Sequence, residues 1–135
     1  PQALLETLER IPASAHPMDV MRTGCSMLGV LEPEHSFDDQ DAEIVRMLAA
    51  FPGIICYWYH FSHFNRRIET FSDADSIAEH FLTLLHQKIP DPVHVAVMHA
   101  SLILYAEHEF NASTFAARVA ASTLTDIYSA VTGAI

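Results

Sequence analysis

A chain of 135 residues that is 50% hydrophobic and 18% charged has the composition of one ordinary globular unit, which excludes a disordered or fibrous polymer. Seven basic residues against seventeen acidic ones give a formal charge of −10, which excludes the basic surface a nucleic-acid binder needs to displace counterions from phosphates. A core of this size needs no disulfide or metal staple, so Cys25 and Cys56, both in apolar contexts, read as free thiols in a reducing cytoplasm.

Apolar residues recur at helical spacing along the whole chain, and no stretch alternates as a strand would. Leu4, Leu5, Leu8 and Ile11 form a first stripe behind Pro1, a residue suited to an opening turn. The N-terminus Pro1-Gln2-Ala3-Leu4 lacks the basic segment and apolar stretch of a signal peptide. Pro17 opens a second helix with Met18, Met21, Cys25 and Leu28 on one face. Gly24, Ser26 and Gly29 weaken that helix by propensity, which predicts close approach of another helix, from this chain or from a second subunit.

A polar loop over 32–39 offers Asp38 or Asp39 as cap for a third helix that runs toward Asn65 and bends or breaks at Pro52-Gly53. Its uncharged run Leu48 to Phe61 is too short to span a bilayer and reads as a buried helix. Ser72 or Asp73 begins the next helix, with Ile77, Phe81, Leu84 and Leu85 facing inward. Pro90 and Pro92 punctuate before a helix over 93–106. A polar break over 107–111 precedes Ser113, a cap for a helix over 114–121, and Thr125 or Asp126 starts a last helix with no stop before Ile135. Both ends fall abruptly in apolar pattern, so the chain is expected to be a fragment of something longer, a single helical unit over 1–135.

Chemistry is sparse in this sequence. His60 and His63 share a helix face and His94 and His99 do so less well, but no carboxylate or cysteine completes a ligand set, so no metal site is expected. Neither cysteine has an activating context, there is no Gly-x-Ser-x-Gly elbow, and Gly24 to Gly29 lacks the lysine of a phosphate loop. His60 lies in an aromatic-rich helix and reads as a satisfied core histidine. The exception is Tyr105-Ala106-Glu107-His108-Glu109-Phe110-Asn111-Ala112-Ser113-Thr114. There a histidine and an asparagine occupy a short break before a helix start, whose N–H groups and dipole favour an anion. From the residues alone, His108 and Asn111 are a site for an anion or keto acid, or else His108 simply caps the preceding helix.

The same segment carries a family likeness. His108 to Thr114, followed by Ala117-Arg118-Val119 and Asp126-Ile127-Tyr128-Ser129-Ala130, resembles the substrate-binding stretch of bacterial citrate and methylcitrate synthases. His16-Pro17-Met18-Asp19-Val20-Met21-Arg22-Thr23-Gly24 resembles an earlier helix of that family, and Tyr57-Trp58-Tyr59-His60, Asp75-Ser76-Ile77 and Leu84-Leu85-His86 resemble its 2-methylcitrate synthase branch. The resemblance implies an all-α, multi-helical citrate-synthase-type fold, this chain being a portion of the large helical domain of a cytoplasmic homodimer. It implies condensation of propionyl-CoA, or acetyl-CoA in the citrate synthase alternative, with oxaloacetate, and no cofactor because the CoA thioester is a substrate. His108 and Asn111 then become oxaloacetate-binding residues. The family's catalytic histidines, its aspartate base and most of its substrate-clamping arginines fall beyond Ile135, so no catalytic residue is expected within this chain and the chain alone is expected to be inactive. The segment Phe64-Asn65-Arg66-Arg67 departs from the Asn-Gly-rich turn of relatives. A reading of another class is a non-catalytic helical dimerisation module whose contact is the second helix, at Met18, Met21 and Gly24.

Overall fold

The computed structural model describes residues 1–107 and 109–135, and among them every regular element is helical. The described residues form seven α-helices: α1 (Gln2–Leu8), α2 (Pro17–Leu31), α3 (Gln40–Phe64), α4 (Ile77–His86), α5 (Pro92–Ala106), α6 (Ala112–Ala121) and α7 (Ile127–Ala134), with a 3₁₀ turn at Phe37–Asp39. The all-α expectation therefore holds. Helix α3 is the axis of the fold: α1, α2, α4 and α7 all pack on it. Helix α5 touches α4, and α6 touches α7.

Local chemistry accounts for the helix starts. His16 caps α2 by accepting the Met18 N–H on Nδ1 at 3.2 Å, with Pro17 at the first position. Ser76, rather than Ser72 or Asp73, caps α4: its Oγ accepts the Glu79 N–H at 3.1 Å while Glu79 accepts the Asp75 N–H at 3.2 Å. That reciprocal pair is close to a capping box, and it displaces weaker caps upstream. Asp91 caps α5 ahead of Pro92, and Asp126, one of two expected residues, caps α7 through the Ser129 N–H at 2.9 Å.

Helix α3 runs unbroken through Pro52 and Gly53, contrary to the expected bend or break. The missing proline N–H removes one hydrogen bond, but both residues are buried and Gly53 lies against Thr70, where an added Cβ would be 3.3 Å from the threonine Cβ. Packing on several sides holds the helix through the defect. The segment Phe37–Phe64 is, by length and composition, able to cross a membrane, because the helix extends well beyond the uncharged run Leu48 to Phe61. Its role in this chain is that of a core helix, with Ile54, Cys56, Tyr57 and Trp58 enclosed by the other helices. It ends at Asn65, whose left-handed backbone lets the Arg66 N–H reach back to the His60 carbonyl at 3.2 Å.

The small residues of α2 are explained within the chain. The buried stripe is Val20, Gly24, Cys25 and Leu28, while Met18 is 46% exposed. A Cβ on Gly24 would lie 2.5 Å from Ile54 Cγ2 of α3, and one on Gly29 would lie 2.7 Å from Tyr128 Cβ of α7. Both glycines therefore let neighbouring helices of the same chain approach. The predicted subunit contact at Met18, Met21 and Gly24 loses its glycine to this packing. In α4 the inward set is Ala78, Leu82 and Leu84, with Phe81 and Leu85 half-buried; Ile77, expected inside, is 44% exposed at the first turn.

Polar anchors tie distant segments to the core. The Tyr57 hydroxyl donates to Glu9 at 2.7 Å, the Trp58 indole donates to the Ile11 carbonyl at 3.3 Å, and Arg67 donates to both Glu9 oxygens at 2.7 and 2.9 Å. Tyr128 donates to the buried Glu43 carboxylate, which also pairs with Arg46 at 3.1 Å, and Glu34 accepts the Ile127 N–H at 2.6 Å. These bonds fasten α7 to α3 and to the loop before it.

Candidate functional site

The chain between α5 and α6 turns sharply without glycine. Glu109 and Phe110 both have positive φ, at 61° and 48°, a conformation that L-residues adopt at a cost of about 1–3 kcal/mol each. The Glu107 carboxylate accepts the Glu109 N–H and so stabilises the turn. Helix α6 then begins at Asn111, whose Oδ1 accepts the Thr114 N–H at 2.7 Å. Asn111 is thus the cap in place of Ser113, and the helix starts two residues earlier than expected. An asparagine three residues before Thr114 reaches that donor directly, whereas Ser113 already sits inside the first turn. Expected site residue His108 lies outside the described residues.

Glu107, Phe110, Asn111, Ala112, Thr114, Phe115 and Arg118 line an open cleft of about 580 Å³. Asn111, Thr114, Phe115 and Arg118 are spaced i, i+3, i+4 and i+7, so one face of α6 forms its floor. The arrangement brings amide, hydroxyl and guanidinium groups to one surface beside a helix N-terminus, which is chemistry for a small polar anion. In the sequence Arg118 stands out only as part of a motif; its seven-residue spacing from Asn111 is the signal that puts the two on one face.

The other chemical groups lead elsewhere. His60 is buried, with Nε2 3.1 Å from the Leu84 carbonyl and 3.0 Å from that of Leu85. The proton on Nε2 therefore satisfies the end of α4, which is the core role expected for it. Burial pushes the Cys56 thiol up to about 12 and raises that of Cys25, so neither is a nucleophile near neutral pH. Among the described residues no group of three or more His, Cys, Asp or Glu gathers as a metal site.

Comparison with known proteins gives the family. The family model for the citrate synthase C-terminal domain matches residues 1–135. The chain belongs to the citrate synthase family. It is 70% identical over 135 residues to the 2-methylcitrate synthase of Shewanella oneidensis, covering 100% of this chain and 36% of that protein. Identity to the citrate synthase of Heyndrickxia coagulans is 38% over 140 residues, covering 100% of this chain and 37% of the relative. A solved citrate synthase from Thermoplasma acidophilum, a ternary complex with carboxymethyl coenzyme A and oxaloacetate, superposes with a TM-score of 0.83 at 26% identity, over 99% of this chain and 35% of that one. The chain thus spans little more than a third of the length of these relatives, and its helical fold is that of the family.

Proposed function

We propose that the protein is a 2-methylcitrate synthase, which condenses propionyl-CoA with oxaloacetate and water to give 2-methylcitrate and CoA. The observation that carries this reading is the 70% identity, across the whole chain, to a protein of that name, against 38% to the citrate synthase above. In this reading the chain supplies part of the oxaloacetate site of a cytoplasmic homodimer. No cofactor takes part, since the CoA thioester is itself a substrate. His108 donates a hydrogen bond to an oxygen of oxaloacetate. Asn111 assists from the start of α6, where its oxygen accepts the Thr114 N–H. The proton-transfer residues lie outside these 135 residues, and the chain alone does not turn over.

The deciding measurement is kcat/KM of the full-length protein for propionyl-CoA and for acetyl-CoA, each with oxaloacetate. Preference for propionyl-CoA is expected. Equal or higher efficiency with acetyl-CoA makes the protein a citrate synthase, and no turnover with either returns it to a non-catalytic helical module. Replacing His108 by alanine is expected to weaken oxaloacetate binding by about 1.5–3 kcal/mol with the fold retained. Unchanged affinity in that variant removes His108 from the site.

A further inference from the structure

Helix α6 forms the floor of the cleft, yet among the described residues it packs on one other helix, α7. Beyond its cap the half-buried side chains of α6 are Ala116, Ala117 and Ala120, while Thr114, Phe115 and Arg118 stay exposed on the cleft face. The side turned to α7 is therefore one of alanines, which have no rotamers to absorb a shift. The corner between the two helices is firm. The Ser122 and Thr123 hydroxyls donate to the Val119 and Ala120 carbonyls, each at 2.7 Å, and Asp126 accepts the Ser129 N–H at 2.9 Å and its hydroxyl at 2.6 Å. Helices α6 and α7 thus form one body, and the cleft lies wherever the seating of α7 on the scaffold puts it.

Tyr128 is central to that seating. Its side chain is buried against Gly29 of α2, its hydroxyl donates to the Glu43 carboxylate of α3, and the Cys25 thiol lies 3.8 Å from its carbonyl. Glu43 is itself buried and is steadied by Arg46 at 3.1 Å, which also pairs with Glu32 at 3.0 Å. Ile127, Val131 and Ile135 add apolar packing beside it. Apolar contacts resist separation but tolerate sliding and rotation, whereas a charge-assisted hydrogen bond between buried groups fixes distance and direction. We infer that Tyr128, through its bond to Glu43, is a positioning residue for oxaloacetate: it sets where α6 presents Asn111 and the rest of the cleft. The role rests on the oxaloacetate reading of that cleft. Tyr128 is 2% exposed and does not line the cleft, so it acts through α7 and not on the ligand.

Calorimetric titration of the full-length protein with oxaloacetate tests this, with Leu84→Ala as the control. Tyr128→Phe keeps the ring against Gly29 and removes only the hydroxyl. It is expected to weaken oxaloacetate roughly 10-fold, a fraction of what a displacement of about 1 Å costs. Glu43→Gln keeps an acceptor for the hydroxyl without its charge, so it reports on the same bond independently, with an affinity between those of the parent and Tyr128→Phe. Leu84→Ala removes core packing from α4, which among the described residues packs on neither α6 nor α7. It is expected to lower Tm and yet bind oxaloacetate as the parent does. Parent-like affinity in Tyr128→Phe, beside a parent protein that binds oxaloacetate, overturns the positioning role and leaves the proposed function standing. An equal loss in Leu84→Ala also overturns it, because the site then follows overall stability and not the seating of α7. A parent protein that binds no oxaloacetate overturns the proposed function, and this inference with it.

Discussion

Helices α4 and α5 are neighbours in sequence and both strongly apolar, yet they have opposite fates. Helix α4 presents Ala78, Leu82 and Leu84 to α3 and leaves its polar side outward. Helix α5 is apolar on every side, packs on α4, and buries none of its residues in this chain; Leu104 is 76% exposed where Leu84 is 2%. The contrast shows that apolar content does not assign a helix to the core. Amphipathic patterning alone does not either, since α6 is amphipathic and buries nothing while α3, the axis of the fold, is apolar on most sides; what decides is whether this chain supplies a neighbour to cover the apolar face. Helix α6, which carries the cleft, shares the exposed side, with Phe115 and Val119 uncovered. The core of α1 to α4 with α7 is the scaffold, and the α5–α6 arm bears the candidate site.

Substitutions in the two regions test that division. Leu84→Ala is expected to destabilise the chain by about 2–5 kcal/mol in urea unfolding, through the lost transfer energy and the cavity left behind. The same change at Leu104 is expected to stay within about 0.5 kcal/mol. Similar losses at both positions break the comparison. Tyr128→Phe removes a hydroxyl from the buried Glu43 carboxylate and is expected to cost about 1.5–3 kcal/mol, read in the same assay. In the parent protein burial, and then the Glu43 carboxylate, push the Tyr128 phenol up to about 12, so its spectroscopic titration should begin well above that of an exposed tyrosine.

A third change sharpens the account of α2. Gly29→Ala gains about 1 kcal/mol of helix propensity but meets the Cβ of the buried Tyr128, an overpacking worth about 1–3 kcal/mol. Net destabilisation is expected; a raised Tm contradicts the close contact of α2 with α7. The smallest effect is electrostatic. The Arg67 guanidinium, followed by the Tyr57 hydroxyl, lowers the Glu9 carboxyl from its ordinary 4.5 to about 2. A carboxylate held down in this way stabilises the folded chain above its unfolded pKa, and that contribution fades as pH falls from about 4.5 to about 2. Glu9→Gln should flatten the dependence of Tm on pH in that window; an unaltered profile would remove the ion pair from the account of acid stability.

Most of the fold was legible in the chain. Helical periodicity, Pro17 and Pro92 at helix starts, and Asp126 as a cap are local signals, and local backbone chemistry answers to them. The errors arose where two local signals competed. Ser72 and Ser76 both offer a hydroxyl, and only Ser76 has Glu79 three residues on; Asn111 and Ser113 are both good caps, and the turn at Glu109 and Phe110 delivers the chain to the first of them. Pro52 was misjudged for a different reason, since its cost to α3 is offset by neighbours remote in sequence. For the candidate site, the pairing of a histidine and an asparagine ahead of a helix singles out Asn111, which lines the cleft. Arg118 was passed over because its meaning lies in a shared face rather than in a motif.

The sequence by itself determined that the chain is helical, where most helices start, and to which family it belongs, because these depend on backbone propensities and on residue order. Tertiary structure alone decided which apolar helices became core, and that Gly24 and Gly29 receive Ile54 and Tyr128 of the same chain. It also decided that His60 satisfies two backbone carbonyls and that Arg118 shares a cleft with Asn111. Each of these is a distance between residues far apart in sequence or on successive helical turns, and such distances are fixed by packing.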